Sequence, residues 1–108
     1  MIAPGTWLAL GAAVIDEKGR IIESSEEFAG WLGTTPEQSE SLVDLLSRRC
    51  PSWKEEIAEM LAREEVFQTC YLEDTTTEPS QWYRYESYTV QKHRAIRISR
   101  CLPLLDKL

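Results

Sequence analysis

The sequence predicts an α+β fold in which helices pack on one face of a single antiparallel β-sheet. Two observations carry that expectation. The apolar pattern is strand-like up to Glu23, helical from Ser24 to Glu65 and strand-like again beyond, so two strands, a cluster of helices and three strands follow in order. The chain has 108 residues, which suffices for one core and is too short for a core plus a second module.

The first two strands are Leu8 to Ile15 and Arg20 to Glu23, joined through Glu17-Lys18-Gly19, where glycine supplies the positive φ of a hairpin connection. The first run is apolar at both parities, with Leu8, Leu10, Ala12 and Val14 on one face and Ala9, Ala13 and Ile15 on the other. Such a strand is expected at the centre of its sheet and covered on both sides. Ser24 and Ser25 offer helix N-caps, with Glu27 as the capping-box partner of Ser24, and Phe28, Trp31 and Leu32 form an apolar face that Gly33 terminates. The run TTPEQ repeats that logic, with Thr35 as cap, Pro36 at the first helical position and Gln38 reaching back. A short helix over Leu42 to Leu46 follows. The clearest helix starts at CPSW: Ser52 caps, Glu55 completes the box, and Trp53, Ile57, Met60 and Leu61 share one face. Period-two alternation then gives strands over Val66 to Leu72, Gln81 to Val90 and Arg94 to Leu104, with EDTTTEPS and QKHR as the connecting loops.

Composition narrows the function. Twelve basic against 18 acidic residues leave a formal charge of −6, the opposite of the basic surface that a general nucleic-acid binder presents. Cys50, Cys70 and Cys101 are an odd number at wide spacings, without a C-x-x-C pair, and read as thiols in a reducing compartment. The apolar opening lacks the basic start of a signal peptide and is shorter than a membrane span, so the expected location is the cytoplasm.

No catalytic constellation emerges. His93 is the single histidine and sits in a turn. The pairs Glu55/Glu56 and Glu64/Glu65 are adjacent on a helical pattern, so each diverges by about 100°, as a solvated face with Glu59 and Arg63 does. No residues are expected to hold a metal.

The hairpin VIDEKGRII, the capped segment closing on FAGWLG, and the strands beginning near FQTCYL and QWYRYESYTV together resemble the PAS domain family over about residues 11 to 103, within one domain of 1–108. Asp16, Gly19, Arg20 and Ile21, with Leu32 and Gly33, carry the most specific part of the resemblance. Two departures accompany it. Ser25 stands where the family often has a capping Asn, and ISRCLPLLDKL replaces the Asp-Ile-Thr ending that passes signals onward. Leu104, Leu105 and Leu108 are still able to begin a connector helix.

The resemblance implies five strands in the order 2-1-5-4-3 and a space between helices and sheet that either side chains or a ligand fills. Phe28, Leu45, Trp53, Ile57, Met60, Leu61, Cys70, Ile96 and Ile98 are the candidate lining. Neither a haem nor a flavin signature is present, so the cofactor is unassigned. Trp82, Arg84, Glu86 and Tyr88 share one strand face and Tyr83, Tyr85 and Ser87 the other. Trp7, Trp82, Tyr83 and Tyr85 are therefore the candidate interface residues, facing a second copy, with the segment around Ile2 and Trp7 folding back as the alternative cover. The function implied is a sensory input module of a signalling protein such as a histidine kinase, binding a small ligand, forming a homodimer and acting on a downstream effector domain. The alternatives are a ligand-free dimerisation module and, third, a small enzyme using carboxylates.

Overall fold

A computed structural model of the chain describes residues 6–37, 39–63 and 65–102. The elements are β1 (Thr6–Ile15), β2 (Ile21–Ser24), α1 (Glu26–Leu32), α2 (Leu42–Arg49), α3 (Trp53–Ala62), β3 (Phe67–Asp74), β4 (Gln81–Val90) and β5 (His93–Leu102). They form one antiparallel sheet in the order β2-β1-β5-β4-β3. The α+β class, the five strands and the order implied by the resemblance are all observed. The connector expected from Leu104, Leu105 and Leu108 and the contribution of Ile2 lie outside the described residues.

β1 is interior, between β2 and β5, but only its inner face is covered. Its register shifts between Ala9 and Gly11, which inserts Leu10 as an extra residue and swaps the faces of the strand. Leu10 thus packs on the core together with the buried Ala13 and Ile15, while Ala9 and Ala12 are exposed. A strand that looked apolar on both faces is one whose alternation changes phase.

The β1–β2 turn is organised by Asp16, whose carboxylate accepts the backbone N–H of Lys18 at 2.8 Å and of Arg20 at 2.9 Å, with Gly19 at φ 79°. Those two bonds hold its carboxyl below the usual range, the bond from Arg20 contributing most.

The N-cap of α1 is Ser25 rather than Ser24, so Glu27 does not stand in a capping box. The Ser25 hydroxyl accepts from Phe28 N–H at 3.2 Å and from Ala12 N–H at 3.0 Å, joining helix and strand through one oxygen. Gly33 ends the helix at φ 83°.

TTPEQ is not helical over Thr35 to Glu37; Gln38 lies outside the described residues. The backbone there serves β2 instead: Ser39 N–H donates to Ile21 C=O, Ile21 N–H to Glu40 C=O, and Ser39 takes φ 72°. α2 runs to Arg49, longer than expected, from a Ser41 cap. α3 starts after Ser52 as predicted, but that hydroxyl pairs with the Cys50 thiol at 3.2 Å instead of capping. Ser52 is already helical, and the Trp53 and Lys54 N–H groups are satisfied by the carbonyls of Cys50 and Pro51.

Helices and sheet enclose a core of Phe28, Leu42, Leu45, Leu46, Trp53, Ile57, Met60, Leu72, Tyr83, Tyr85, Ile96 and Ile98. At one end an aromatic cluster locks the layers together. Trp31 stacks on Trp53 with ring centres 6.3 Å apart, Tyr83 meets both at 5.4 Å, and the Arg49 guanidinium covers Trp31 at 4.9 Å.

Candidate functional site

α3 is tied to the sheet at both ends. Near its start the Trp53 indole N–H donates to Glu73 C=O of β3 at 3.0 Å. At its end Arg94 of β5 donates to Met60 C=O at 3.2 Å and to Arg63 C=O, placing a cation on the carbonyls that a helix terminus leaves free. Between these anchors α3 stands off β3, and a groove of about 440 Å³ opens there. Met60 and Arg63 of the helical side and Gln68 and Cys70 of β3 line it, with Glu56, Glu59 and Glu65 also present, and it continues over the edge of the sheet to Phe67, Thr69 and Tyr71 on the outer face of β3.

The register fixes the polar floor of this region. On the helix-facing side of the sheet Gln68 stands opposite Ser87, and Cys70 opposite Tyr85. Gln68 is 5% exposed, yet neither its amide oxygen nor its nitrogen has a hydrogen-bond partner among the described residues. The Tyr85 hydroxyl is likewise buried and unpartnered there. Burial pushes the Tyr85 phenol well above its usual range, and burial followed by the Glu56 carboxylate raises the Cys70 thiol, so both groups are neutral near pH 7.

Phe28, Leu45, Trp53, Ile57, Ile96 and Ile98, all candidate lining residues, pack against one another in the buried core. Leu61 is half-buried at its margin, close to Gly19. Met60 and Cys70 are the candidates that also reach the open groove. Gln68, which the candidate set lacks, joins them there. Its signal was available: it is two residues before Cys70 in a period-two strand, hence on the same face.

The other face of the sheet carries Trp7 and Trp82, both half-buried. Tyr83 and Tyr85 are corrections: they point to the helices and are buried, Tyr83 within the aromatic cluster and Tyr85 under α3. Trp7, opposite Cys101 of β5, pairs with Tyr71 of β3, ring centres 5.7 Å apart, and lies under the Arg84 guanidinium at 4.9 Å. Glu86 takes ion pairs from Arg84 and Arg97, each at 3.4 Å. Phe67 stacks on Tyr88 nearby, and Val66, Phe67, Tyr71, Tyr88 and Val90 leave an exposed apolar strip. Trp7 therefore covers one end of this face and leaves the strip open. His93 is exposed at the start of β5. Glu55 and Glu56 are exposed on α3, and Glu64 lies outside the described residues. No helix among the described residues is long and apolar enough to cross a membrane.

No family model matches the chain, and no curated protein matches it. Solved structures do. The PAS domain of BvgS from Bordetella pertussis superposes with a TM-score of 0.62 at 14% identity, over 87% of this chain and 77% of that one. With that strand order, that helical cluster and that superposition, the chain has a PAS-like fold.

Proposed function

We propose that this chain is a sensory input module of a signalling protein, one that binds a small ligand between α3 and the sheet and passes the result to an effector of the histidine-kinase kind. The observation that carries this reading is the groove where α3 stands off β3, within a PAS-like fold. A ligand seated there touches α3 and β3 at once. Its differential affinity for two positions of the helix sets the size of the response. The module binds rather than catalyses, and its three free thiols suit a reducing cytoplasm.

A second reading, a ligand-free dimerisation module, is favoured by the close-packed interior and by the exposed strip of Val66, Phe67, Tyr71, Tyr88 and Val90. A second copy suits that strip, because the neighbouring Arg84, Glu86 and Arg97 carry both signs of charge and can complement themselves about a two-fold axis.

Native and denaturing mass spectra of freshly purified protein test both readings. Extra mass lost on denaturation is the expected result for the sensor. A bare dimer would transfer the function to the second reading. A bare monomer that takes up no mass from a metabolite extract would overturn both.

A further inference from the structure

We propose that the α3–β3 groove recognises a small, uncharged molecule carrying an amide-like edge, a C=O beside an N–H, and that Gln68 is the residue that reads it. The inference rests on the sensor reading above and assigns the ligand chemistry of that groove.

The argument starts from an unpaired group. A buried amide without partners is disfavoured relative to a hydrogen-bonded one, and Gln68 has neither half of its amide satisfied among the described residues. Its strand gives it no alternative. Period-two alternation fixes Gln68 on the helix-facing side with Cys70 and Leu72, while Tyr85 and Ser87 close the sheet beneath. Gln68 borders the groove of about 440 Å³, a volume within the size range of small-molecule sites, and its amide, sealed from solvent in the free protein, meets a ligand there by a turn of its side chain.

The shape of the unpaired group selects the ligand. A side-chain carboxamide offers an acceptor and a donor side by side, and only a partner with the complementary pair fills both at once. Primary amides and lactam rings have that edge; so does the amide of Gln68 whichever way its oxygen points. A carboxylate would serve the NH2 and leave the amide oxygen facing a second acceptor, and Glu56, Glu59 and Glu65 around the groove outnumber its one lining cation, Arg63. An ammonium would serve the oxygen alone. Met60 supplies a polarizable wall for a flat apolar body, and the Cys70 thiol, held neutral, adds no charge.

Benzamide and benzoate share a shape and differ in this edge, which makes them the probes. Each is titrated into the 15N-labelled protein while the side-chain NH2 resonances of Gln68 and the backbone resonances of Met60, Gln68 and Cys70 are followed. The expected result is a saturable shift with benzamide, binding roughly tenfold or more weaker for benzoate, and a similar loss for benzamide in Gln68→Leu. Equal binding of the two probes, no saturable benzamide shift, or full benzamide binding to a folded Gln68→Leu protein would overturn the proposal. Should that variant not fold, the comparison of probes on the wild-type protein decides alone. The two levels of inference fail separately: a co-purified mass retained by Gln68→Leu removes this assignment and leaves the sensor standing, whereas a bare monomer that takes up no mass removes the sensor as well.

Discussion

A single methyl group at Gly11 should strongly destabilise the fold. The glycine lies where α1 crosses β1, and a Cβ built on it would sit 2.4 Å from the Phe28 nitrogen, 2.5 Å from its Cα and 2.7 Å from its Cβ. Ordinary contact begins near 3.4 Å, so Gly11→Ala forces the start of α1 outward by about 1 Å. None of the three atoms is the far end of a flexible side chain, so rotamer change offers no relief. Overpacking of this kind costs about 1–3 kcal/mol. The same retreat strains the links from Ser25 N–H to Ala12 C=O at 2.9 Å and from Ala12 N–H to the Ser25 hydroxyl at 3.0 Å, adding about 1 kcal/mol each. A total near 3–5 kcal/mol is a large share of the ~5–15 kcal/mol available to a domain. Urea unfolding followed by tryptophan fluorescence should show the midpoint falling by about 1.5–2.5 M, taking a slope near 2 kcal/mol/M. Gly30→Ala is the control: it lies inside α1, its Cβ would meet nothing within 4 Å, and it should stabilise by about 0.5–1 kcal/mol. A Gly11→Ala midpoint within about 0.3 M of wild type would refute the close crossing of helix and strand.

Three further outcomes follow from the same contacts. Ser25→Ala removes the acceptor for both Phe28 N–H and Ala12 N–H and should cost about 1–2 kcal/mol in the same assay, whereas Ser25→Asn, which still caps, should lose less than half of that. Tyr85 should remain a phenol in the folded protein while ordinary phenols ionise near 10.0, because burial raises its pKa. Only the unfolded chain then releases that proton, so stability is unaffected below pH 10 and falls as pH rises above it. Absorbance titration of wild type against Tyr85→Phe checks this, and a Tyr85 step in the folded protein with an ordinary midpoint would contradict its burial. Asp16, whose pKa is lowered from 3.8, contributes stability that is present above that value and lost as pH falls through the lowered one. Carbon-13 titration of its carboxyl should give a midpoint below the free value, and Asp16→Asn should abolish that part of the acid sensitivity.

Those contacts also explain what could be read from the sequence. Strand and helix segments were visible because their apolar periods differ, and Gly33 marked the end of α1 because a left-handed residue there is a local requirement. Local rules failed where a distant partner claimed the same groups. Thr35 and Pro36 have the form of a helix start, but the segment after them spends its N–H and C=O groups on Ile21. Ser52 has the form of a cap, but the turn from Cys50 already satisfies the first helical N–H groups. Leu10 is ordinary in sequence, and only pairing with β5 shows it to be the inserted residue that changes the phase of β1. Capping and periodicity are properties of ten residues; these exceptions are properties of the sheet.

The site was harder to read than the fold for a related reason. Alternation correctly divided β4 into Trp82, Arg84, Glu86 and Tyr88 against Tyr83, Tyr85 and Ser87, yet it does not say which row meets the helices. Aromatic rings on both sides made either row a plausible interface. The neighbouring strand resolves the choice: Leu72 and Cys70 stand opposite Tyr83 and Tyr85, so the row that shares their face must be the inner one. The same step places Gln68 inside, opposite Ser87, in a row with Cys70, Leu72 and Asp74, the last of which has its carboxylate bonded to Thr76. A polar residue where alternation demands an apolar one is either satisfied by its neighbours or waiting for a partner, and the register leaves Gln68 beside a groove with its amide unpaired among the described residues. Substituting Leu at that position should therefore stabilise the free protein by about 1 kcal/mol or more while abolishing recognition of the amide edge. A folded Gln68→Leu protein less stable than wild type would mean that the amide already has its partner.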